Sequence, residues 1–210
     1  MIYFRADLTH LLGSLRPGTS SPTGDDNELW RLAAATIPTI IVALLFSEVI
    51  AGDLRGLPVI AFTTLFFGLL MGIAAKRVRV GAESALQRVT WRDAFLIGLA
   101  QSVALVPGVS RSGVTITAAL MLGYNVTTAA RFSFLLSVPV ILMAMAFMTF
   151  TWFSGEASPA PVGQLLTAML VAGLSAYATI AVFLGILERI GLMPFVWYRL
   201  ALGCGLVGVI

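Results

Sequence analysis

Residues 57–75, 132–153 and 162–187 contain no charged side chain. Each run is close to the ~20 residues that a helix needs to cross the ~30 Å hydrocarbon core of a bilayer. In lipid every backbone N–H and C=O must find its partner inside the chain, so runs of this length restrict the fold to helices. Of the 210 residues, 59% are hydrophobic and 11% are charged, against about 25% charged in a soluble domain. That balance excludes an ordinary cytosolic enzyme and a disordered chain. It predicts an all-α fold, a polytopic membrane bundle. The net charge of +3 does not point to nucleic acid, because the charges cluster at the ends of apolar runs. Cys204 and His10 are the only residues of their kinds, which excludes an internal disulfide and a Cys/His zinc site.

The chain divides into a polar N-terminal part, residues 1–30, and a bundle over 31–210. Residues 1–16 have the spacing of a short amphipathic helix lying at an interface, and 17–28 read as a loop. The predicted spans are 32–50, with a kink at Pro38, then 57–75, 132–153, 162–187 and a final helix over 195–210. Gly68 and Gly72 form a small-xxx-small face suited to close helix packing. Lys76, Arg77, Arg79, Arg88 and Arg92 make the densest basic stretch, so the positive-inside rule places that loop in the cytoplasm. The loop 154–161 has no basic residue and is expected to face outward.

Residues 94–107 and 113–123 are apolar but too short to span. Between them lies Gly-Val-Ser-Arg-Ser, residues 108–112. Two half-length helices around a polar break predict a re-entrant hairpin or a discontinuous helix over 94–123. Arg111 at the break is the costliest residue in the chain: insertion scales charge about 2.5–3.5 kcal/mol for an arginine at the bilayer centre. No acid lies near it in sequence, so an anionic ligand is the economical partner. A guanidinium matches two phosphate oxygens and stays charged in a partly dry site. Ser110 and Ser112 add hydroxyls, and Gly108 and Gly113 let backbone approach closely. The helix starting near Ser112 points free N–H groups at the anion. Thr115 falls one turn further in, and Gln101 faces the break from the preceding half-helix. The competing reading is that Gly and Ser only ease packing while Arg111 snorkels to water.

Residues 104–117, Ala-Leu-Val-Pro-Gly-Val-Ser-Arg-Ser-Gly-Val-Thr-Ile-Thr, resemble the signature of the undecaprenyl-diphosphatase family, the bacterial membrane phosphatases also called bacitracin-resistance proteins. Trp-Arg-Asp-Ala-Phe-Leu-Ile-Gly-Leu-Ala-Gln (91–101), Arg-Phe-Ser-Phe-Leu-Leu-Ser-Val-Pro (131–139) and Phe-Val-Trp-Tyr-Arg (195–199) are similar to its flanking segments. The resemblance implies removal of the terminal phosphate from undecaprenyl diphosphate, which regenerates the carrier lipid of peptidoglycan synthesis and confers bacitracin resistance. It implies catalytic roles for Arg111 and Ser110, and a substrate pocket of Ser112, Gly108, Gly113 and Thr115, to which the position of Gln101 on the facing half-helix adds an amide. Implied too are residence in the bacterial inner membrane, a divalent cation as the one cofactor to consider, and a homodimer as one arrangement.

The family pattern also has a Glu-rich motif followed by Pro-x-Ser-Ser-x-Gly-His, which this chain lacks. Met-Ile-Tyr-Phe-Arg-Ala-Asp-Leu (1–8) looks like the end of the family's second span, so roughly the first 50–60 family residues are expected to be absent. Residues 17–24 echo the lost motif faintly but have no apolar flanks, and His10 belongs to the surface helix. Glu48, Asp53, Asp93, Glu156 and Glu188 all fall at span ends or in loops. No metal ligand is evident, and neither Ser110 nor Ser112 has a sequence-evident base. The expectation is an enzyme-type chain with little or no turnover by itself, which Arg111-dependent phosphate release would refute. The alternatives are a non-catalytic protein that binds or transports a polyprenyl phosphate, and a packing scaffold in which Arg111 binds nothing.

Overall fold

A computed structural model describes residues 27–77, 88–154 and 161–210, together with Thr9. The predicted interfacial helix over 1–16, most of the loop to residue 28, the centre of the basic loop and most of 154–161 lie outside the described residues. All regular structure among the described residues is helical: α1 (Glu28–Leu45), α2 (Ser47–Ala51), a 3-10 turn (Asp53–Arg55), α3 (Leu57–Arg77), α4 (Trp91–Val103), α5 (Arg111–Met121), α6 (Val126–Phe153), α7 (Val162–Ile190) and α8 (Met193–Val207). Helices α1, α3, α6 and α7 are long and apolar enough to cross a membrane, and the 15-residue α8 is apolar but shorter. The chain is therefore a multi-pass membrane protein. The first predicted span needs correction, since α1 continues through Pro38 and ends at Leu45, with the chain turning at Phe46.

The hairpin at 94–123 is re-entrant. Helix α4 has 13 residues and α5 has 11, about 20 Å and 17 Å of rise, well short of a bilayer core. Their outer ends meet at one level. The Tyr124 hydroxyl, just after α5, donates to Asp93 Oδ2 at 2.6 Å and accepts the Thr90 N–H at 3.1 Å, just before α4. Burial, reinforced by the Asp93 acceptor, holds the Tyr124 phenol above its ordinary pKa. Thr90 also caps α4, accepting the Asp93 N–H. The basic loop enters at this base, and the tip points into the bundle.

Small residues set the two closest helix crossings. Gly98 on α4 lies against α1 so tightly that a Cβ there would collide with the Ala35 backbone. Helices α3 and α8 run antiparallel. A Cβ on Gly72 would stand 3.0 Å from Val196 Cγ1, and one on Gly68 would stand 3.2 Å from Arg199 Cβ. The small-residue face read from sequence thus has α8 as its partner. At the hairpin-base end, Arg131 on α6 forks onto Glu28 of α1 at 2.7 and 3.1 Å. The outer half of α6 and most of α7 are exposed and apolar, with Phe147, Met148, Phe153 and Leu174 all open, as lipid-facing helices are.

Candidate anion site at the hairpin tip

The tip joins α4 to α5 through residues 104–110, and three of their carbonyls, those of 107–109, turn outward onto neighbouring helices. Pro107 C=O accepts from Thr63 Oγ1 at 2.7 Å. Gly108 C=O accepts from Thr64 Oγ1 at 3.3 Å and from Arg199 Nη2 at 2.8 Å. Val109 C=O accepts from Arg199 Nη1 at 2.7 Å. Three consecutive carbonyl dipoles are thereby held by α3 and α8, and buried carbonyls need such partners.

This arrangement dictates the residues of the turn. Gly108 has φ +90, and a Cβ would collide with Thr63 Oγ1 and sit 2.6 Å from the Ile60 carbonyl oxygen, so only glycine fits. Ser110 is the one described non-glycine residue with positive φ, at φ 68 and ψ 111. A side chain held there costs of order 1–3 kcal/mol, and such strain gathers at ligand-binding turns. Ser110 is the N-cap of α5, its Oγ accepting the Gly113 N–H at 3.3 Å. The N–H groups of Arg111 and Ser112 donate to no acceptor among the described residues. The positive end of the α5 dipole is therefore open.

Arg111 begins α5 and is half-buried, and its guanidinium makes no hydrogen bond or ion pair among the described residues. It is neither in bulk water nor locked to a carboxylate. Ser110, Ser112 and Gly113 come together on a cavity of about 170 Å³ beside α5, closed by Arg199 and by apolar side chains that include Ile116 and Phe195. Arg111 stands next to this cavity in the chain without lining it.

Two placements read from sequence need correction. Thr115 does not face the cavity. Its hydroxyl is buried between α5 and α6, 2.6 Å from Ser133 Oγ and 2.9 Å from the Arg111 carbonyl oxygen. Gln101 is buried against α1, its Nε2 donating to Thr39 Oγ1 at 3.1 Å, while its Oε1 finds no partner among the described residues. Both lie on helix faces that the packing of α1 and α6 claims first.

Sequence reading passed over Arg199, which lies 8% exposed within α8. The insertion cost that singled out Arg111 applies equally to an arginine in the last apolar run, and that signal was available. Arg199 Nε has no partner among the described residues, and Nη1 packs where a Cβ on Gly113 would come within 2.8 Å. The Arg199 guanidinium and the N-terminus of α5, which Arg111 begins, thus lie together at the tip, with no carboxylate among the residues lining the cavity.

The donors at the tip suit an anion and not a cation. No grouping of three His, Cys, Asp or Glu able to hold a metal occurs among the described residues. Asp93 and Glu28 are engaged with Tyr124 and Arg131 at the hairpin-base end. The described residues do not fit the divalent cation that the resemblance suggests.

A family model described as bacitracin resistance protein BacA matches residues 1–205. The undecaprenyl-diphosphatase of Hahella chejuensis (strain KCTC 2396) is 42% identical over 209 residues, covering 99% of this chain and 77% of that protein. Undecaprenyl-diphosphatase 1 of Pseudoalteromonas translucida (strain TAC 125) is 42% identical over 210 residues, with the same coverage. The undecaprenyl-diphosphatase of Thioalkalivibrio sulfidiphilus (strain HL-EbGR7) is 40% identical over 214 residues, covering 99% of this chain and 78% of that protein.

Proposed function

Because the chain belongs to the bacitracin resistance protein BacA family, we propose that it is an undecaprenyl-diphosphatase. It hydrolyses undecaprenyl diphosphate to undecaprenyl phosphate and phosphate in the bacterial inner membrane, returning carrier lipid to cell-wall synthesis and conferring bacitracin resistance. The observation that carries this reading is Arg111, a half-buried cation without a side-chain partner among the described residues, at the open N-terminus of α5. A buried charge is stable only when paired, and a diphosphate supplies the pair.

The described residues account for binding and for charge stabilisation. Arg111 presents a planar fork to phosphate oxygens. Ser110 and Ser112 line the cavity at the α5 N-terminus, where the N–H groups of Arg111 and Ser112 are open among the described residues. As the bridging P–O bond breaks, negative charge grows on the leaving and transferring groups, and fixed positive donors stabilise it without reorganising. Arg199 keeps those donors in place by holding the Gly108 and Val109 carbonyls away from them. No carboxylate or imidazole lines the cavity, so no proton transfer is assigned to these residues. With the basic loop in the cytoplasm by the positive-inside rule, the tip reaches toward the outer leaflet.

Phosphate release from undecaprenyl diphosphate by the purified chain in detergent, compared with Arg111→Ala, tests the proposal. Release that depends on Arg111 supports it and refutes the expectation of an inactive chain. Bound diphosphate that is never cleaved reduces the protein to a binder.

A further inference from the structure

Tyr198 of α8 lines the cavity beside Ser110, Ser112 and Gly113, and its hydroxyl makes no hydrogen bond among the described residues. Its depth in the membrane makes that costly. The next residue, Arg199, packs its Cβ 3.2 Å from where Gly68 of α3 would carry one. Gly68 lies near the middle of the 21-residue α3, a helix long enough to cross the bilayer. Tyr198 therefore stands near mid-depth. Tyrosines of membrane proteins gather instead at the two interfaces, where the ring lies in hydrocarbon and the hydroxyl reaches water. Away from the interface an unbonded hydroxyl carries a desolvation cost. Packing decides which way the residue faces. Val196, Arg199 and Gly203 form the buried face of α8, turned to α3. Phe195 and Tyr198, three residues apart, share the neighbouring flank, and both line the cavity. Tyr198 is 66% exposed, so it stands at the rim. The grip of Arg199 on the Gly108 and Val109 carbonyls holds this turn of α8 in register with the start of α5.

We propose that Tyr198 is a further substrate-binding residue of the enzyme: its phenol donates a hydrogen bond to a phosphoryl oxygen of the diphosphate held at Ser110 and Ser112. The assignment rests on the diphosphatase reading, which supplies the anion. A phenol is a neutral donor, so it adds a bond without bringing a further cation to a tip that already holds Arg199 and begins α5 with Arg111. A hydrogen bond to an ionised acceptor is roughly twice as strong as one between neutral groups, which offsets the cost of keeping the hydroxyl at this depth. The ring at the rim also covers one side of the bound phosphate, and a drier site strengthens every bond within it. The proton stays on the phenol throughout, so Tyr198 binds and orients the headgroup and takes no part in proton transfer.

Tyr198→Phe keeps the ring and removes only the hydroxyl oxygen. In lipid nanodiscs it is expected to weaken equilibrium binding of undecaprenyl diphosphate to the full chain about tenfold, with the melting point of the unliganded protein unchanged. Trp197→Phe, at a similarly exposed neighbour that does not line the cavity, is expected to change neither. Inorganic phosphate serves as a second probe that separates the lipid headgroup from the free ion. A loss with both probes places the phenol on a phosphoryl group from either source, and a loss with the lipid alone restricts it to the headgroup; both support the contact. Unchanged lipid affinity in Tyr198→Phe, or an equal loss from Trp197→Phe, overturns it. A loss that comes together with a lower unliganded melting point marks a packing role and overturns it as well. Arg111→Ala is read separately. If it leaves lipid binding intact, the anion reading of the tip fails and the phenol assignment falls with it. If it weakens binding while Tyr198→Phe does not, the phenol assignment alone fails.

Discussion

Replacing Arg199 by Met should loosen the hairpin tip more than it destabilises the fold. Methionine keeps an unbranched stem in the space between α3 and α8 and removes only the guanidinium. Two well-formed bonds disappear, those to Val109 C=O at 2.7 Å and Gly108 C=O at 2.8 Å. The third, to the Thr64 carbonyl at 3.4 Å, is near the limit and contributes little. Charge-assisted bonds contribute about 1.5–3 kcal/mol each, a gross loss of about 3–6 kcal/mol. Two effects offset it. Gly108 C=O keeps the Thr64 hydroxyl, and a desolvated charge with no carboxylate partner leaves the membrane interior, which costs several kcal/mol to maintain. The net destabilisation should therefore be only about 1–3 kcal/mol. The consequence for the site is larger, because the freed carbonyls can swing toward the α5 N-terminus and oppose an anion. Thermal unfolding in detergent measures the first effect, and the increase in melting temperature on adding undecaprenyl phosphate measures the second. Arg199→Met is expected to melt slightly earlier and to lose most of the ligand-induced increase. Arg199→Lys, which keeps the charge but not the fork, should recover only part of it. An Arg199→Met protein with the parent's melting point and the parent's response to ligand would refute the reasoning.

Other substitutions separate the site from its frame. Gly113→Ala brings a Cβ within 2.8 Å of Arg199 Nη1 and 3.1 Å of Ser110 Oγ. Arg199 Nη1 is held on Val109 C=O and must shift, so stability should fall by about 1–3 kcal/mol while phosphate release falls sharply. Thr115→Val removes the hydroxyl that meets Ser133 and should cost about 1 kcal/mol with no change in diphosphate affinity. A drop in affinity would put Thr115 back in the pocket. Tyr124→Phe should destabilise the hairpin by about 1–2 kcal/mol at neutral pH through loss of the Asp93 bond. Because the folded-state phenol is raised above its ordinary value, the parent's stabilisation is complete below about pH 10. It disappears as pH rises through the raised value, a dependence that unfolding curves of Tyr124→Phe should lack.

The legible parts of the fold were those where lipid alone sets the rule. Charge-free runs marked α3, α6 and α7, and the half-length runs marked the hairpin, because neither depends on which helix meets which. The choice between re-entry and a discontinuous helix was not legible, since it is decided by Tyr124 reaching back to Thr90 and Asp93 across some thirty residues. The break at Phe46, short of the expected end of the first span at residue 50, was likewise hidden, because no proline or glycine marks it. At the site, Arg111, Ser110, Ser112, Gly108 and Gly113 stood out because their residue types fit no lipid-facing helix. Thr115 and Gln101 were misplaced because a polar residue near a break can face the break or a neighbouring helix, and only packing decides. Arg199 was reachable by the rule used for Arg111. Its role was not, because clamping the carbonyls of residues some ninety positions earlier is a property of the α3–α8 crossing.

The direct test of the central claim is equilibrium binding of undecaprenyl diphosphate to the parent chain, Arg111→Ala and Arg111→Lys in the same nanodiscs. If the lone cation of α5 is neutralised by the lipid's phosphates, removing it costs about 2.7 kcal/mol, or roughly a hundredfold in affinity. Lysine should restore part of that loss, because it returns the charge without the fork. Equal affinity for all three proteins would contradict the account, leaving Arg111 a side chain that reaches water and binds nothing.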